Sequence, residues 1–272
     1  MSMTSPPETA GNLRQKLAEE GGLFGPMVIE FFSPGLPAIV AATGSDFILY
    51  DMEHSGAGFE TMKVQFAGCR GLGVAPLVRV PAGEYHFIAR AFDMGAQGVM
   101  VPMVETREQA ERIVASANYP PHGRRGAAFG IAHDDYRGGH PAQKMEASRA
   151  RNLVICQIET ALGLENVDAI AALDGVDVLW VGHFDLTNSM GIPAQFDHPA
   201  YLQGIEKVVA AAHRNGKPAG FMALDSAWAE AYWRHGFDII AYGLDHLLFQ
   251  KALSDGVEML KGLRSQGRAT AP

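Results

Sequence analysis

Three ionisable residues, Asp51, Glu53 and His54, follow directly on the apolar run Phe47–Tyr50 in "FILYDMEHSG". Titratable groups at the end of a buried strand must be paired, must bind something, or must carry chemistry. Arg79 stands near the end of a second apolar run, "APLVRV", and Gln157 and Glu159 close a third, "LVICQIE". Asp185 follows a fourth, in "VGHFD". Glu159 and Asp185 are one strand–helix–strand repeat apart, so both carboxylates can face one point. Two carboxylates without a thiolate, with water in the remaining positions, describe an octahedral Mg²⁺ or Mn²⁺ site, and Co²⁺ or Zn²⁺ can use the same donors. Plainer roles exist: Glu159 and Asp185 could cap the helices that follow, Gln157 could be an ordinary hydrogen-bonding residue, and Arg79 could simply pair with an acid.

The elements that would position these groups recur along the chain. Short apolar runs at 27–32, 47–52, 75–80, 98–103, 153–159, 176–182, 217–223 and 237–243 read as eight strands. Near-continuous apolar strands suit a parallel sheet covered on both faces. Between them, stretches such as 106–117 and 199–216 carry apolar residues at helical spacing. Eight strand–helix units in this length predict an α/β fold, a (β/α)8 TIM barrel, whose chemistry gathers at the C-terminal ends of the strands. An open doubly wound sheet is the alternative, but no GxGxxG follows the first strand. The segment 118–152 reads as a long Gly-, Pro- and Arg-rich loop of functional or interface type. Residues 244–265 read as an extended amphipathic C-terminal helix on a single domain spanning 1–272.

Lysine is informative by its placement. None of the seven lysines falls at the C-terminal end of a strand, and Lys217 begins one at the opposite rim. A Schiff-base mechanism needs a desolvated lysine in the mouth, so a metal must be the electron sink for any carbonyl chemistry here. A formal charge of −8 over 272 residues argues against a nucleic-acid partner. No apolar run reaches a membrane span, and "MSMTSPPETAGN" shows no leader pattern. With Cys69 and Cys156 as reduced, buried thiols, the expectation is a cytoplasmic protein without a nucleotide cofactor.

"YDMEHSG", "APLVRV" and "YPPHGRRG", with "CQIETALGLENVDAI" and "VGHFDLTNSMG", resemble the metal-dependent (class II) pyruvate aldolases. This is the family of 4-hydroxy-2-oxoheptanedioate aldolase and the 2-keto-3-deoxy sugar-acid aldolases. The resemblance runs in order from about Gly25 to Gly243. It implies a TIM barrel and a hexamer built as a trimer of dimers that exchange the C-terminal helix. It also implies reversible cleavage of 4-hydroxy-2-oxo acids to pyruvate and an aldehyde through a metal-bound pyruvate enolate.

The resemblance implies roles residue by residue. Glu159 and Asp185 match the metal carboxylates and Gln157 a pyruvate contact, while Phe184 supplies a backbone N–H to the pyruvate carboxylate. His54 matches the general base, Arg79 the residue that stabilises the transition state, and Asp93 an acid that keeps the histidine basic. Asp51 and Glu53 would support metal and histidine through water. His183 and Phe184 stand where relatives commonly carry proline and a small residue, which crowds the mouth. A decarboxylase acting on oxaloacetate, or a citrate-lyase-like enzyme acting on a CoA ester, is the competing enzymatic reading on the same barrel.

Overall fold

A computed structural model describes residues 12–266. The outermost stretches of the 272-residue chain, including most of the one read for a leader, lie outside the described residues.

Eight parallel strands form the sheet. They are β1 (Leu23–Val28), β2 (Phe47–Asp51), β3 (Ala75–Arg79), β4 (Gly98–Val101), β5 (Leu153–Ile158), β6 (Val178–Val181), β7 (Ala219–Ala223) and β8 (Ile239–Leu244). Each pairs with the next, and β8 returns to β1, closing the barrel in chain order. The expected TIM barrel is therefore the observed fold. Around it run α1 (Leu13–Glu20), α2 (Leu36–Ala41), α3 (Phe59–Gly68), α4 (Tyr85–Asp93), α5 (Arg107–Ala117) and α6 (Pro141–Arg151). The second half supplies α7 (Ala161–Glu165), α8 (Val167–Ala171), α9 (His183–Ser189), α10 (Pro199–Arg214), α11 (Ser226–Arg234) and α12 (Asp245–Gln266).

The apolar runs are explained by two cores. Leu49, Leu77, Met100, Ile155 and Trp180 point into the barrel, while alternate residues such as Ile48, Val78, Val99 and Leu179 pack outward against the helices. Each such side chain contributes ~1.5–3 kcal/mol by leaving water. Leu13 of α1 packs into the inner core at its N-terminal end.

Two elements differ from the sequence-based expectation. The first strand spans Leu23–Val28 and not 27–32. Gly25 sits inside it because a Cβ there would lie 2.0 Å from the Phe47 carbonyl oxygen. Past Val28 the backbone leaves the sheet, and the N–H groups of Ile29, Glu30 and Phe31 all donate to the Asp245 carboxylate at the start of α12. Segment 118–152 is also more structured than a loop. It contains α6, opened by the His140 side chain accepting from the Ala142 N–H and by Pro141 in the first turn. Arg125, fully buried, holds this segment to the barrel through Asp93 of α4.

No helix among the described residues is long and apolar enough to cross a membrane. The last helix, α12, leaves Phe249, Leu253, Val257, Leu260 and Leu263 exposed along its length.

Candidate active site

The register of the sheet brings the charged residues together. Asp51 and Arg79 are paired neighbours at the ends of β2 and β3. Arg79 Nε and Nη2 donate to the two Asp51 oxygens at 2.8 and 2.9 Å, a bidentate pair in which Asp51 has no exposure. Asp51 also accepts the backbone N–H groups of Glu53 and His54 at 3.0 and 3.2 Å, which shapes the turn that carries the histidine. Glu53 lies between the two: its Oε2 is 3.1 Å from Arg79 Nε and 3.8 Å from His54 Nε2. The first contact is an ion pair without hydrogen-bond alignment. Burial opposes the charge of Arg79, but Asp51 and Glu53 outweigh it and hold its pKa above the ordinary value. Burial raises the Glu53 pKa, with Arg79 and His54 opposing and Asp51 and Asp185 adding to it.

Glu159 leaves the end of β5 and is almost fully buried. It is not a helix cap. Thr160 caps α7 by accepting from the Gly163 N–H, while Glu159 Oε1 accepts the Met103 N–H at 2.7 Å and Oε2 accepts from Gln157 Nε2 at 2.5 Å. Asp185 is likewise inside the first turn of α9, whose cap position is Gly182. That glycine is a matter of space: a Cβ at 182 would lie 2.2 Å from Glu159 Oε2 and 2.6 Å from Gln157 Nε2. Burial, with Glu53 and Asp185 adding negative charge nearby, pushes the Glu159 pKa up to about 7 against the opposing Met103 N–H and Arg79.

These features fit a divalent cation. Glu159 is a carboxylate held at both oxygens, in a cradle that a single methyl would fill, and a nearby positive charge would relieve its burial. Gln157 Oε1 is buried with no partner, an acceptor lacking a donor or cation. Among the described residues no group of three ligating side chains converges. Two protein carboxylates with substrate and water completing the shell are what Mg²⁺ or Mn²⁺ commonly accept.

Phe184 presents its ring at the mouth, 45% exposed, edge-on to Phe196 at 5.2 Å. His183 turns the other way. It is buried among Phe184, Phe196, Phe221 and Trp228, with ring centroids at 4.6 to 5.5 Å, and burial lowers its pKa to about 4. It therefore packs as a neutral ring and does not add a charge to the mouth.

Asp93 stands apart from the other candidate residues within the chain. Residues 85–93 run back down the outside of the barrel, so Asp93, ending α4, sits toward the N-terminal rim and bonds Arg125 at 2.6 Å. Within one chain it makes no bond to His54, and the carboxylate beside that ring is Glu53. Among the described residues no lysine side chain bonds to the groups of this mouth. Lys217 lies at the opposite rim, its Nζ donating to the carbonyls of Ala171 and Leu173. It borders a cavity of about 600 Å³ in which Arg14 pairs with Asp177 and His213 with Asp238.

The profile described as HpcH/HpaI aldolase/citrate lyase matches residues 27–252. The chain belongs to this family. It is 37% identical over 232 residues to a hydroxypyruvate/pyruvate aldolase of Chromohalobacter salexigens, covering 85% of this chain and 91% of the relative. It is also 37% identical to a 4-hydroxy-2-oxovalerate aldolase of Novosphingobium aromaticivorans over 241 residues, or 86% and 90% of the two chains. The crystal structure of an HpcH/HpaI aldolase from Desulfitobacterium hafniense superposes with a TM-score of 0.87 at 31% identity, over 92% of this chain and 96% of that one. Named relatives of this kind make the family member a carbon–carbon lyase of the aldolase type. The closed barrel agrees with that family.

Proposed function

We propose that this family member is a divalent-metal-dependent pyruvate aldolase that reversibly cleaves 4-hydroxy-2-oxo acids to pyruvate and an aldehyde. One observation carries the reading: Glu159, clamped at both oxygens beside the orphaned Gln157 Oε1, faces Asp185, Glu53 and Arg79 at one mouth. Glu159 and Asp185 would hold the cation, Mg²⁺ or Mn²⁺ by donor type, with Co²⁺ or Zn²⁺ as possible substitutes. Its chemistry would be to stabilise the negative charge that develops on the pyruvate ketone oxygen.

The protein's own groups do the rest. Gln157 contacts the 2-oxo acid, and the Phe184 N–H at the start of α9 meets its carboxylate. His54, exposed at the mouth with Glu53 beside it, moves the proton of the C4 hydroxyl or of the pyruvate methyl, through a water where the reach requires it. Arg79, fixed by Asp51, offers a guanidinium already oriented toward charge on the aldehyde oxygen, which avoids reorganisation during reaction. The exposed Phe184 ring forms one wall for the aldehyde and favours apolar or aromatic contact over a heavily hydrated chain.

The exposed apolar stripe of α12 supports a second copy of this chain as its cover, in the dimer-based hexamer the resemblance implies. A chain ending at Gly243 should then lose its assembly. A truncated protein that elutes as the parent does would leave α12 as barrel packing only.

The experiment for the reaction is a coupled assay of pyruvate release over a panel of 4-hydroxy-2-oxo acids, with and without added metal. Metal-dependent pyruvate release from at least one member supports the aldolase. Turnover confined to oxaloacetate or to a CoA ester would move the chain to the decarboxylase or citrate-lyase-like reading.

A further inference from the structure

Four described non-glycine residues have a positive φ: Met103, Asp135, Tyr136 and Ala194. Met103, at 55°, is the one whose backbone touches the candidate site. Holding an L side chain there costs ~1 kcal/mol or more, and such strain persists only where the surroundings enforce it. Side-chain burial does not enforce it, because Met103 is half exposed.

The local hydrogen bonds show what the conformation achieves. Immediately after Val101 and Pro102, the left-handed turn points the Met103 N–H at Glu159 Oε1, 2.7 Å away. The next N–H, of Val104, donates to the Gln157 carbonyl at 3.2 Å. The two loop residues thus grip the end of β5 twice, once at its backbone and once at its carboxylate. Gln157 Nε2 takes the other Glu159 oxygen, so the carboxylate cannot rotate without losing a bond. A backbone N–H has no rotamers of its own, so this donor is more rigid than a side chain could be. Nothing in the structure explains why methionine and not glycine occupies the position.

We propose that Met103 is a positioning residue whose strained left-handed backbone aims one N–H at Glu159 and so orients that carboxylate for a divalent cation. This rests on the reading of Glu159 as a metal carboxylate. The chemistry requires it there because a carboxylate that must be reoriented at each binding event gives up part of its affinity to ordering. The side chain at 103 acts only through the backbone conformation it permits.

The test is the series Met103→Gly, Met103→Asn, Met103→Leu and Met103→Val, with the Mn²⁺ dissociation constant measured by calorimetry and Tm measured without metal. Glycine and asparagine enter the left-handed region readily, leucine resembles methionine, and a β-branched residue resists it. Mn²⁺ affinity should follow that order: Gly and Asn at least as tight as the parent, Leu within about twofold, Val about tenfold weaker. An affinity that is flat across the series while Tm varies, or that tracks side-chain volume, overturns the proposal. Should the Val variant fail to fold, hydrogen exchange of the Met103 amide in the parent decides. Strong protection is expected, and exchange at the rate of a free amide overturns it. The control Glu159→Gln separates the two levels. Parent binding lost in that variant but flat across the 103 series rejects only the Met103 role, whereas a parent that binds no Mn²⁺ rejects the metal reading and this proposal with it.

Discussion

Arg79 and Asp51 form a bidentate pair across β2 and β3, at 2.8 and 2.9 Å, with Asp51 completely buried. The same Asp51 oxygens accept the N–H groups of Glu53 and His54. One carboxylate therefore sets both the guanidinium and the turn that carries His54. Asp51→Ala should cost about 3 kcal/mol, because it leaves a buried guanidinium with only the poorly aligned Glu53. Chemical denaturation measures this. A loss below about 1 kcal/mol would mean that Glu53 alone satisfies Arg79.

His54→Ala and Arg79→Ala should disable different steps. Loss of the proton-transfer group should slow both aldol cleavage and exchange of the pyruvate methyl protons, by about 10²–10⁴-fold. Loss of Arg79 should act chiefly where the carbon–carbon bond forms or breaks, leaving proton exchange much less affected. Parallel measurements of exchange by NMR and cleavage by pyruvate release separate the two. Equal damage to both reactions by both changes would remove this division of labour.

Phe184→Ala should reorder the aldehydes. Removing an exposed ring from one wall typically changes relative kcat/KM by about ten- to two-hundred-fold, or ~1–3 kcal/mol. The comparison is a short hydroxyaldehyde, a semialdehyde bearing a carboxylate, and benzaldehyde, in parent and variant. Benzaldehyde should lose most. An unchanged ranking would mean that the ring faces away from the acceptor.

Glu159 gives a stability signature in the metal-free protein. Its folded pKa is about 7, above the ordinary 4.5. The folded state thus keeps a proton that the unfolded state releases as pH rises through this window, and stability falls with pH. The full shift corresponds to about 3 kcal/mol. Relative to Glu159→Gln, the metal-free parent should lose up to that amount between pH 5 and pH 8, measured by denaturant unfolding. Parallel stability curves for the two proteins would show that burial does not perturb this carboxyl.

The barrel was legible in the sequence because a parallel sheet covered on both faces demands apolar runs, and their ends mark where charged residues are out of place. Asp51, Arg79, Gln157 and Glu159 were found in that way. The first strand was displaced because Gly25 and Pro26 interrupt its composition while "IEFF" continues the apolar run after the sheet has ended. Helix α6 was missed because its apolar periodicity is weak, although His140–Pro141 is a helix-start signal. The tie between Asp93 and Arg125 joins an outer helix to a distant segment, and no local pattern encodes it. Met103 carried no sequence signal at all, since methionine does not announce a left-handed backbone.

Exchange of the pyruvate methyl protons in D₂O, followed by NMR, tests the central claim most directly because it needs neither the aldehyde nor its identity. Protein stripped with EDTA should show no exchange above the buffer rate, and Mg²⁺ or Mn²⁺ should restore it in the parent but not in Glu159→Gln. Exchange at the full rate in the stripped protein, or a pyruvate imine trapped by borohydride, would contradict the metal-dependent account.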